Sequence, residues 1–418
     1  MFKQITVVGL GYIGLPTAVA FALKGLSVYG VEIEQHKLAL IEQGKSPITE
    51  PQLEDGLQQV VAQGLLTVGS HMQPSDVFII TVPTPFDTQK QQPDLSYVQA
   101  AVAAIAPVLK RGDLVVLEST SPVGTTEQVA QWLAKLRPDL RFPSCHPQAD
   151  IYLAYCPERV LPGKIMYDII HNDRVIGGLS PQSTQQAVDL YQIFAKGECV
   201  ATDARTAEMC KLVENSFRDV NIAFANELSM LCDVLDIDVW KLIELANRHP
   251  RVDILQPGAG VGGHCIAVDP WFIITQQPEH TALMRAAREV NETKPNWVVE
   301  KVKAAFADCV VEQNRSPSSI KIACLGLAFK ADVADLRQSP ALQITQQLAA
   351  WHQGELLVVE PYIRSLPSSL PETVRLISLE AALREADIMV LLVAHSIFKI
   401  VQPEQLPQYW VDTKGVWR

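Results

Sequence analysis

The chain has 418 residues, room for two or three domains at ~100–200 residues each. With 48% hydrophobic and 19% charged residues it reads as globular, which excludes a disordered chain. The net charge of −11 argues against general affinity for nucleic acid or an anionic membrane, so an anionic ligand must be met by local positive groups.

Residues 5–23 carry no charge, a length that suits a membrane span, and Ala18-Val19-Ala20 resembles a signal-peptidase site. Gly9, Gly11, Gly14 and Pro16 inside the run predict something else: a buried strand over 5–8, a tight turn, and a helix to about Lys24 stopped by Gly25. A second strand, 27–31, ends at Glu32. Further strands are predicted at 77–82, 114–117 and 175–176, with helices near 95–110 and 125–136. From about 203 to 235 there is no helix breaker, which predicts a helix of roughly 45 Å at ~1.5 Å per residue. A helix of that length usually joins domains or forms an oligomer seam.

After a Pro/Gly-rich passage at 250–270 and more helix, the strand–helix rhythm resumes. A strand at 320–325 leads into Gly326-Leu327-Ala328-Phe329-Lys330, a worn copy of the first turn without its third glycine. A helix over 339–352 and strands at 356–359 and 388–394 follow. The pattern predicts an α/β protein: two Rossmann-like, doubly wound parallel-sheet domains joined by a long central helix and helical segment. The expected boundaries are 1–202, 203–305 and 306–418. The eight cysteines are scattered without a CxxC pair, as in reduced cytosolic proteins, and Cys145-His146 is the nearest approach to a metal cluster.

Gly9-x-Gly11-x-x-Gly14 follows a strand, opens a helix and is followed by an acidic residue at the next strand end, the arrangement that seats a dinucleotide pyrophosphate. Glu32 would accept from the adenosine ribose and repel a 2′-phosphate, favouring NAD over NADP. A purely structural turn would carry the same glycines. Lys211, Asn215 and Arg218 share one face of the long helix. They read either as a solvated stripe or as a lysine and amide facing a developing alkoxide. Gly258-Ala259-Gly260-Val261-Gly262-Gly263-His264-Cys265 delivers a cysteine with Asp269 four residues on, the setting of a thiolate nucleophile rather than a core filler. Glu158 and Arg159 fall after the last strands of the first domain, on the ligand side of such sheets, although an isolated Glu-Arg pair is usually a surface ion pair. Thr120 and Thr125 lie in a strand-end loop suited to nicotinamide or water contacts.

Together these segments resemble the UDP-glucose/GDP-mannose dehydrogenase family from the first strand to the C-terminus. The matching pieces are the glycine turn with Tyr12 and Ile13, Val82-Pro83-Thr84-Pro85, Ser119-Thr120, Pro157-Glu158, Lys211-x-x-x-Asn215, Gly262-Gly263-x-Cys265-x-x-x-Asp269, and Gly326-x-x-Phe329-Lys330 with Arg337. Gly-Val-Gly-Gly-His-Cys with His249-Pro250-Arg251 is similar to the branch that takes N-acetylated sugars, with Ala259 standing where that branch is expected to have proline. The resemblance implies a cytoplasmic oxidoreductase that uses two NAD per sugar to convert the C6 hydroxymethyl of UDP-N-acetyl-D-mannosamine into a carboxylate. The same chemistry on UDP-N-acetylglucosamine or UDP-glucose is the alternative. It implies Cys265 as nucleophile, Lys211 and Asn215 at the C6 oxygen, Glu158 with a water held by Thr120 in thioester hydrolysis, and Asp269 orienting or deprotonating water or thiol. Thr84 and Thr125 would join the glycine turn and Glu32 around NAD, and Arg337 would approach the cofactor or diphosphate. Phe329 and Lys330 would contact the UDP-sugar held by the C-terminal domain. Arg159, Val160, Arg218, His249, Arg251 and Gly262, with Lys211 and Asn215, would line the sugar pocket. A homodimer or larger homo-oligomer is implied, with a product for bacterial surface polysaccharide such as enterobacterial common antigen.

Two rivals remain open at this point. A two-electron β-hydroxyacid-type dehydrogenase has no use for Cys265 or a second α/β domain. A catalytically silent NAD or sugar-nucleotide sensor has no need of Cys265, Lys211, Asn215, Glu158 and Asp269 together. A metal-dependent alcohol dehydrogenase lacks a ligand set.

Overall fold

The computed structural model describes every residue except Met1, Thr49, 88–90, 144–147, Pro162, His264 and Arg418. Cys145, His146 and His264, singled out above, therefore lie outside the described residues. The chain divides into two compact units, Met1–Glu214 with Trp271–Gln276, and Asn215–Pro270 with Gln277–Arg418.

The first unit contains β1 (Gln4–Val8), α1 (Gly14–Ala22), β2 (Ser27–Val31), α2 (Gln35–Glu42), α3 (Leu53–Ala62), β3 (Leu66–Gly69) and β4 (Val77–Ile80). A small hairpin, β5 (Phe86–Asp87) and β6 (Gln92–Pro93), precedes α4 (Ser96–Ile105), β7 (Leu114–Leu117), α5 (Thr125–Leu136) and β8 (Tyr152–Tyr155). The unit continues through α6 (Ile165–His171), β9 (Arg174–Gly178), α7 (Pro181–Tyr191) and β10 (Cys199–Asp203). Its eight-stranded sheet runs β10-β9-β8-β7-β4-β1-β2-β3. The strand order reverses beside β1, so the crevice above β1 and β4 is where such a sheet takes its ligand.

Strand β1 is buried on both faces, as a parallel strand between helices must be. Ile5 and Val7 pack with α1, α3, α6 and α7, while Val8, Phe78 and Ile80 pack with α4 and α5. Each such side chain contributes about 1.5–3 kcal/mol by leaving water. This explains the uncharged run at 5–23: every residue of α1 is buried. All but one of the sheet's strand pairs are parallel, and the exception is β8–β9, which meet antiparallel through Ala154–Gly178 and Tyr155–Gly177.

Helix α8 (Ala204–Val234) is 31 residues long, as the unbroken run predicts, and passes from the first unit into the second at Glu214–Asn215. The second unit adds α9 (Val239–Ala246), the first residues of α10 (Asp269–Gln276), and α11 (Ala282–Gln313), a 32-residue helix with Pro295 inside it. It ends with β11 (Ile322–Leu325), α12 (Pro340–Trp351), β12 (Leu356–Val359), β13 (Arg375–Leu376), α13 (Leu379–Glu385), β14 (Ile388–Leu391) and β15 (Tyr409–Asp412). Its five-stranded parallel sheet, β13-β12-β11-β14-β15, repeats the first unit's reversal beside its first strand. Residues of α11 and α12 cover one face, and α13, Phe398 and Trp417 cover the other. Among the described residues no helix is long and apolar enough to cross a membrane.

Candidate active site

In the first unit the glycine turn leaves β1 at Gly9, whose φ of +92° few other residues tolerate, and Gly9 N–H donates to Val31 O at 2.8 Å. A Cβ on Gly14 would lie 1.9 Å from Gly9 O and 2.4 Å from Thr81 Oγ1, so the turn itself demands glycine there. Gly11 differs. A Cβ added to it would meet nothing within 4 Å, so the fold leaves open the space that this glycine vacates. That is the cradle a pyrophosphate needs at the start of α1, and it fits NAD. Tyr12 is exposed and Ile13 is the N-cap position of α1. Glu32 is buried and accepts from Leu10 N–H at 3.1 Å, Ile33 N–H at 2.8 Å and Glu34 N–H at 3.1 Å, so its carboxylate is tied to the turn.

The loops after β4 and β7 are pinned to each other. Thr84 Oγ1 donates to Thr120 O at 2.5 Å and Ser119 Oγ to Val82 O at 2.7 Å. Thr125 is fully buried, and its hydroxyl donates to Pro122 O at 2.6 Å. Sequence reasoning missed Glu208, which is buried and accepts from Gly124 N–H at 2.6 Å, Thr126 N–H at 2.8 Å and Thr126 Oγ1 at 2.7 Å. It caps α5 from α8, and burial raises its carboxyl pKa despite these bonds. Its spacing of three residues before Lys211, on the same polar face, was the available signal.

Lys211 is buried rather than part of a solvated stripe. Its Nζ donates to Glu158 O at 2.7 Å and to Glu158 Oε1 at 2.9 Å, while Glu158 Oε2 accepts from Val160 N–H at 2.9 Å. Arg159 turns to Glu214 at 2.7 Å and to Asp173 O at 3.2 Å. The Glu158–Arg159 segment thus faces α8, and its two charges pair with α8 rather than with each other.

In the second unit Asn215 is buried and its Nδ2 donates to Asp269 Oδ2 at 2.6 Å. Asp269 N–H donates to Cys265 O at 2.8 Å, so the four-residue spacing is one helical turn that ties the cysteine to the acid. Cys265 is half-buried. The glycines before it are packed tightly: a Cβ on Gly262 would lie 2.5 Å from Gln338 O, and one on Gly263 2.9 Å from Phe329 Cε2. Gly263 also has a φ of +83° and donates to Arg337 O at 3.2 Å. The loop thus rests on Phe329 and the 337–340 segment. Arg337 is exposed and lies bidentate on Asp335, with Nη2 to Oδ2 at 2.6 Å. Arg218, His249, Arg251 and Lys330 are exposed.

The glycine cradle at the first sheet's reversal point has the form of a dinucleotide seat. Three models of the UDP-glucose/GDP-mannose dehydrogenase family match in order: its NAD binding domain at 3–195, its central domain at 205–293 and its UDP binding domain at 323–418. The chain is similar to the UDP-N-acetyl-D-mannosamine dehydrogenase of Yersinia pestis, 57% identical with all of both chains covered. It is also similar to the NDP-N-acetyl-D-galactosaminuronic acid dehydrogenase of Ralstonia nicotianae, 54% identical over 100% of this chain and 96% of the other. The solved UDP-D-ManNAc dehydrogenase of Pyrococcus horikoshii superposes with a TM-score of 0.89 at 39% identity, over 100% of this chain and 96% of that one. The chain belongs to the UDP-glucose/GDP-mannose dehydrogenase family and is an NAD-dependent UDP-sugar dehydrogenase, an oxidoreductase.

Proposed function

We propose that the protein oxidises the C6 hydroxymethyl of UDP-N-acetyl-D-mannosamine to a carboxylate, with two NAD+ reduced per sugar, in the cytoplasm. The observation that carries the covalent route is the turn that binds Cys265 to Asp269 and Asp269 to Asn215 at 2.6 Å. The choice of sugar rests on likeness to the Yersinia enzyme over its whole length.

Bound NAD+ supplies a hydride acceptor for each of the two oxidations. Lys211 Nζ and Asn215 Nδ2 stabilise negative charge on the C6 oxygen, where preorganised donors are most effective. The Cys265 thiolate adds to the aldehyde carbon, and its oxygen takes a proton to give a thiohemiacetal. Loss of a hydride and that proton leaves a thioester. Glu158 takes a proton from the attacking water, aided by Thr120, and the thiolate leaves. Asp269 holds Asn215 in place and orients the water or the thiol. Arg159, Val160, Arg218, His249, Arg251 and Gly262 line the sugar pocket, Phe329 and Lys330 hold the UDP-sugar, and Arg337 meets the diphosphate or cofactor.

With the sugar limiting, NADH formed per sugar consumed is expected to be two for UDP-N-acetylmannosamine, with that compound preferred over UDP-N-acetylglucosamine and UDP-glucose. One NADH per sugar would remove the thioester step, and preference for another sugar would move the substrate. Cys265→Ala is expected to abolish carboxylate formation and Cys265→Ser to slow it severely, and near-normal turnover in the alanine variant would overturn the nucleophile assignment.

The assembly that this reading favours is a homodimer or larger homo-oligomer seamed by α8. Its support is the exposed series Phe217, Phe224 and Leu231, spaced at the seven-residue repeat of a helical seam. Phe224→Asp should lower the solution mass measured by light scattering, and an unchanged mass would place the seam elsewhere.

A further inference from the structure

Beneath the segment that carries Glu158 lies a second acid that the mechanism does not use. Glu118 follows β7 and is fully buried. Arg174 Nη1, from β9, donates to Glu118 Oε1 at 3.4 Å, and Thr17 Oγ1, from α1, donates to Oε2 at 3.4 Å. Both contacts are at the long end of hydrogen bonding. The same guanidinium reaches Cys156 Sγ at 3.7 Å and Ile169 O at 3.1 Å, and lies 4.7 Å from the Tyr191 ring centroid. Its Nε has no hydrogen-bond partner among the described residues. Cys156 stands two residues before Glu158, so the group that closes on Glu118 also grips the segment that aims Glu158 at Lys211.

The groups facing Glu118 are Thr17 from α1, Arg174 from β9, Cys156 from the end of β8, Tyr191 from α7, and Glu158 beyond them. Burial keeps the Cys156 thiol and the Tyr191 phenol neutral, the thiol pushed up to about 12. The charges that act on Glu118 are therefore Arg174, which favours its ionised form, and Glu158, which opposes it. Burial is the largest influence, and with Glu158 it outweighs Arg174 and pushes Glu118 up to about 7. A group that titrates there changes charge within the working range of an enzyme.

We propose that Glu118 is a positioning residue for Glu158: through Arg174 it fixes the 156–158 segment, and its own charge sets how firmly the guanidinium holds that segment. The proposal rests on Glu158 acting as the base of thioester hydrolysis. Ionised Glu118 holds the guanidinium that grips Cys156, which keeps Glu158 aimed at Lys211. Protonated Glu118 loosens that hold. A simple staple between β7 and β9 would use the same pair, since buried ion pairs often serve only geometry.

The test is kcat and KM for NADH formation from about pH 5.5 to about pH 9 in the unaltered enzyme, Glu118→Gln and Glu158→Gln. In Glu118→Gln the inflection near neutrality should vanish, with kcat about five-fold lower on the alkaline side, unchanged on the acid side, and both KM values within about two-fold. A uniform loss at every pH, or an unchanged profile, overturns the proposal. If Glu118→Gln does not fold, Thr17→Val serves instead. Loss of its hydroxyl donor should move the inflection to higher pH with both limits intact, and an unmoved inflection overturns the proposal. Normal turnover in Glu158→Gln would instead remove Glu158 as the base, a separate outcome.

Discussion

The two glycine turns of this protein start from the same backbone device and end in different chemistry. Gly9 donates to the last carbonyl of β2 and Gly326 to the last carbonyl of β12, both at 2.8 Å and both with φ near +90°. The next residue donates to a glutamate beyond that strand, Leu10 to Glu32 at 3.1 Å and Leu327 to Glu360 at 2.7 Å. There the likeness stops. The first turn opens α1 five residues after Gly9, whereas the second runs on to α12 at Pro340 without a helix at the turn. Glu360 is also covered by fully buried His395, whose Nε2 donates to it at 3.1 Å while Nδ1 accepts from Asp332 N–H at 2.9 Å. With Nδ1 accepting, Nε2 is the ring's donor to Glu360. A dinucleotide seat thus needs the helix N-terminus as well as the glycine. The second domain keeps the turn without that helix start.

The sharpest way to break this comparison is Gly14→Val. With a Cβ 1.9 Å from Gly9 O, the turn cannot close, and NAD affinity measured by calorimetry should fall by at least ~100-fold. Gly11→Ala should leave the melting temperature within ~2 °C yet weaken NAD about ten-fold, because only the ligand needs that space. Unchanged NAD binding in Gly11→Ala would show that the pyrophosphate sits elsewhere.

His395→Leu leaves Glu360 buried without its cover and should cost about 3 kcal/mol in urea unfolding, without creating a second NAD site. The pH dependence follows from Glu360 itself. Burial pushes its carboxyl up, but the His395 hydrogen bond and the backbone donors Leu327 and Tyr362 outweigh it and hold it below the usual range. A lowered carboxyl pKa adds stability that is full above the unfolded value of 4.5 and is lost as pH falls through the folded one. Glu360→Gln should therefore flatten the acid limb of stability below that value, and an equally steep limb would place the acid sensitivity in other groups. An effect on cofactor choice is expected at Glu32. Glu32→Gln should reduce the preference for NAD over NADP about ten-fold in steady-state assays, because the 2′-phosphate no longer meets a negative charge.

Much of this was legible because the sequence spelled it locally. The uncharged run, the turn, Glu32 and the breaker-free stretch that forms α8 each depend on near neighbours in the chain. The strands β3, β8, β10 and β15 do not show in the sequence, being four or five residues long and, except for β8, largely unburied, which leaves little periodic signal. Helix α11 continues through Pro295 because Lys294, Val298, Val299 and Val302 are buried on either side. At the site, the spacing of Lys211 and Asn215 could be read but their partners could not. Glu158 lies 53 residues from Lys211 and Asp269 lies 54 from Asn215, so only the tertiary fold pairs them. The glycines before Cys265 showed the converse: the sequence marked close approach, and the structure identifies Phe329 and Gln338 as what approaches.

Glu208 carries one more consequence. Helices α1 and α5 both begin beside the carboxyl ends of the sheet's strands, and each presents unpaired amides that attract an anion. At α5 the protein supplies that anion itself, since Glu208 occupies the amides of Gly124 and Thr126. A phosphate arriving there would have to displace a covalently tethered competitor held at a very high effective concentration. The domain thus chooses its cofactor's address partly by exclusion, with a resident ligand blocking the decoy site while the true one stays clear.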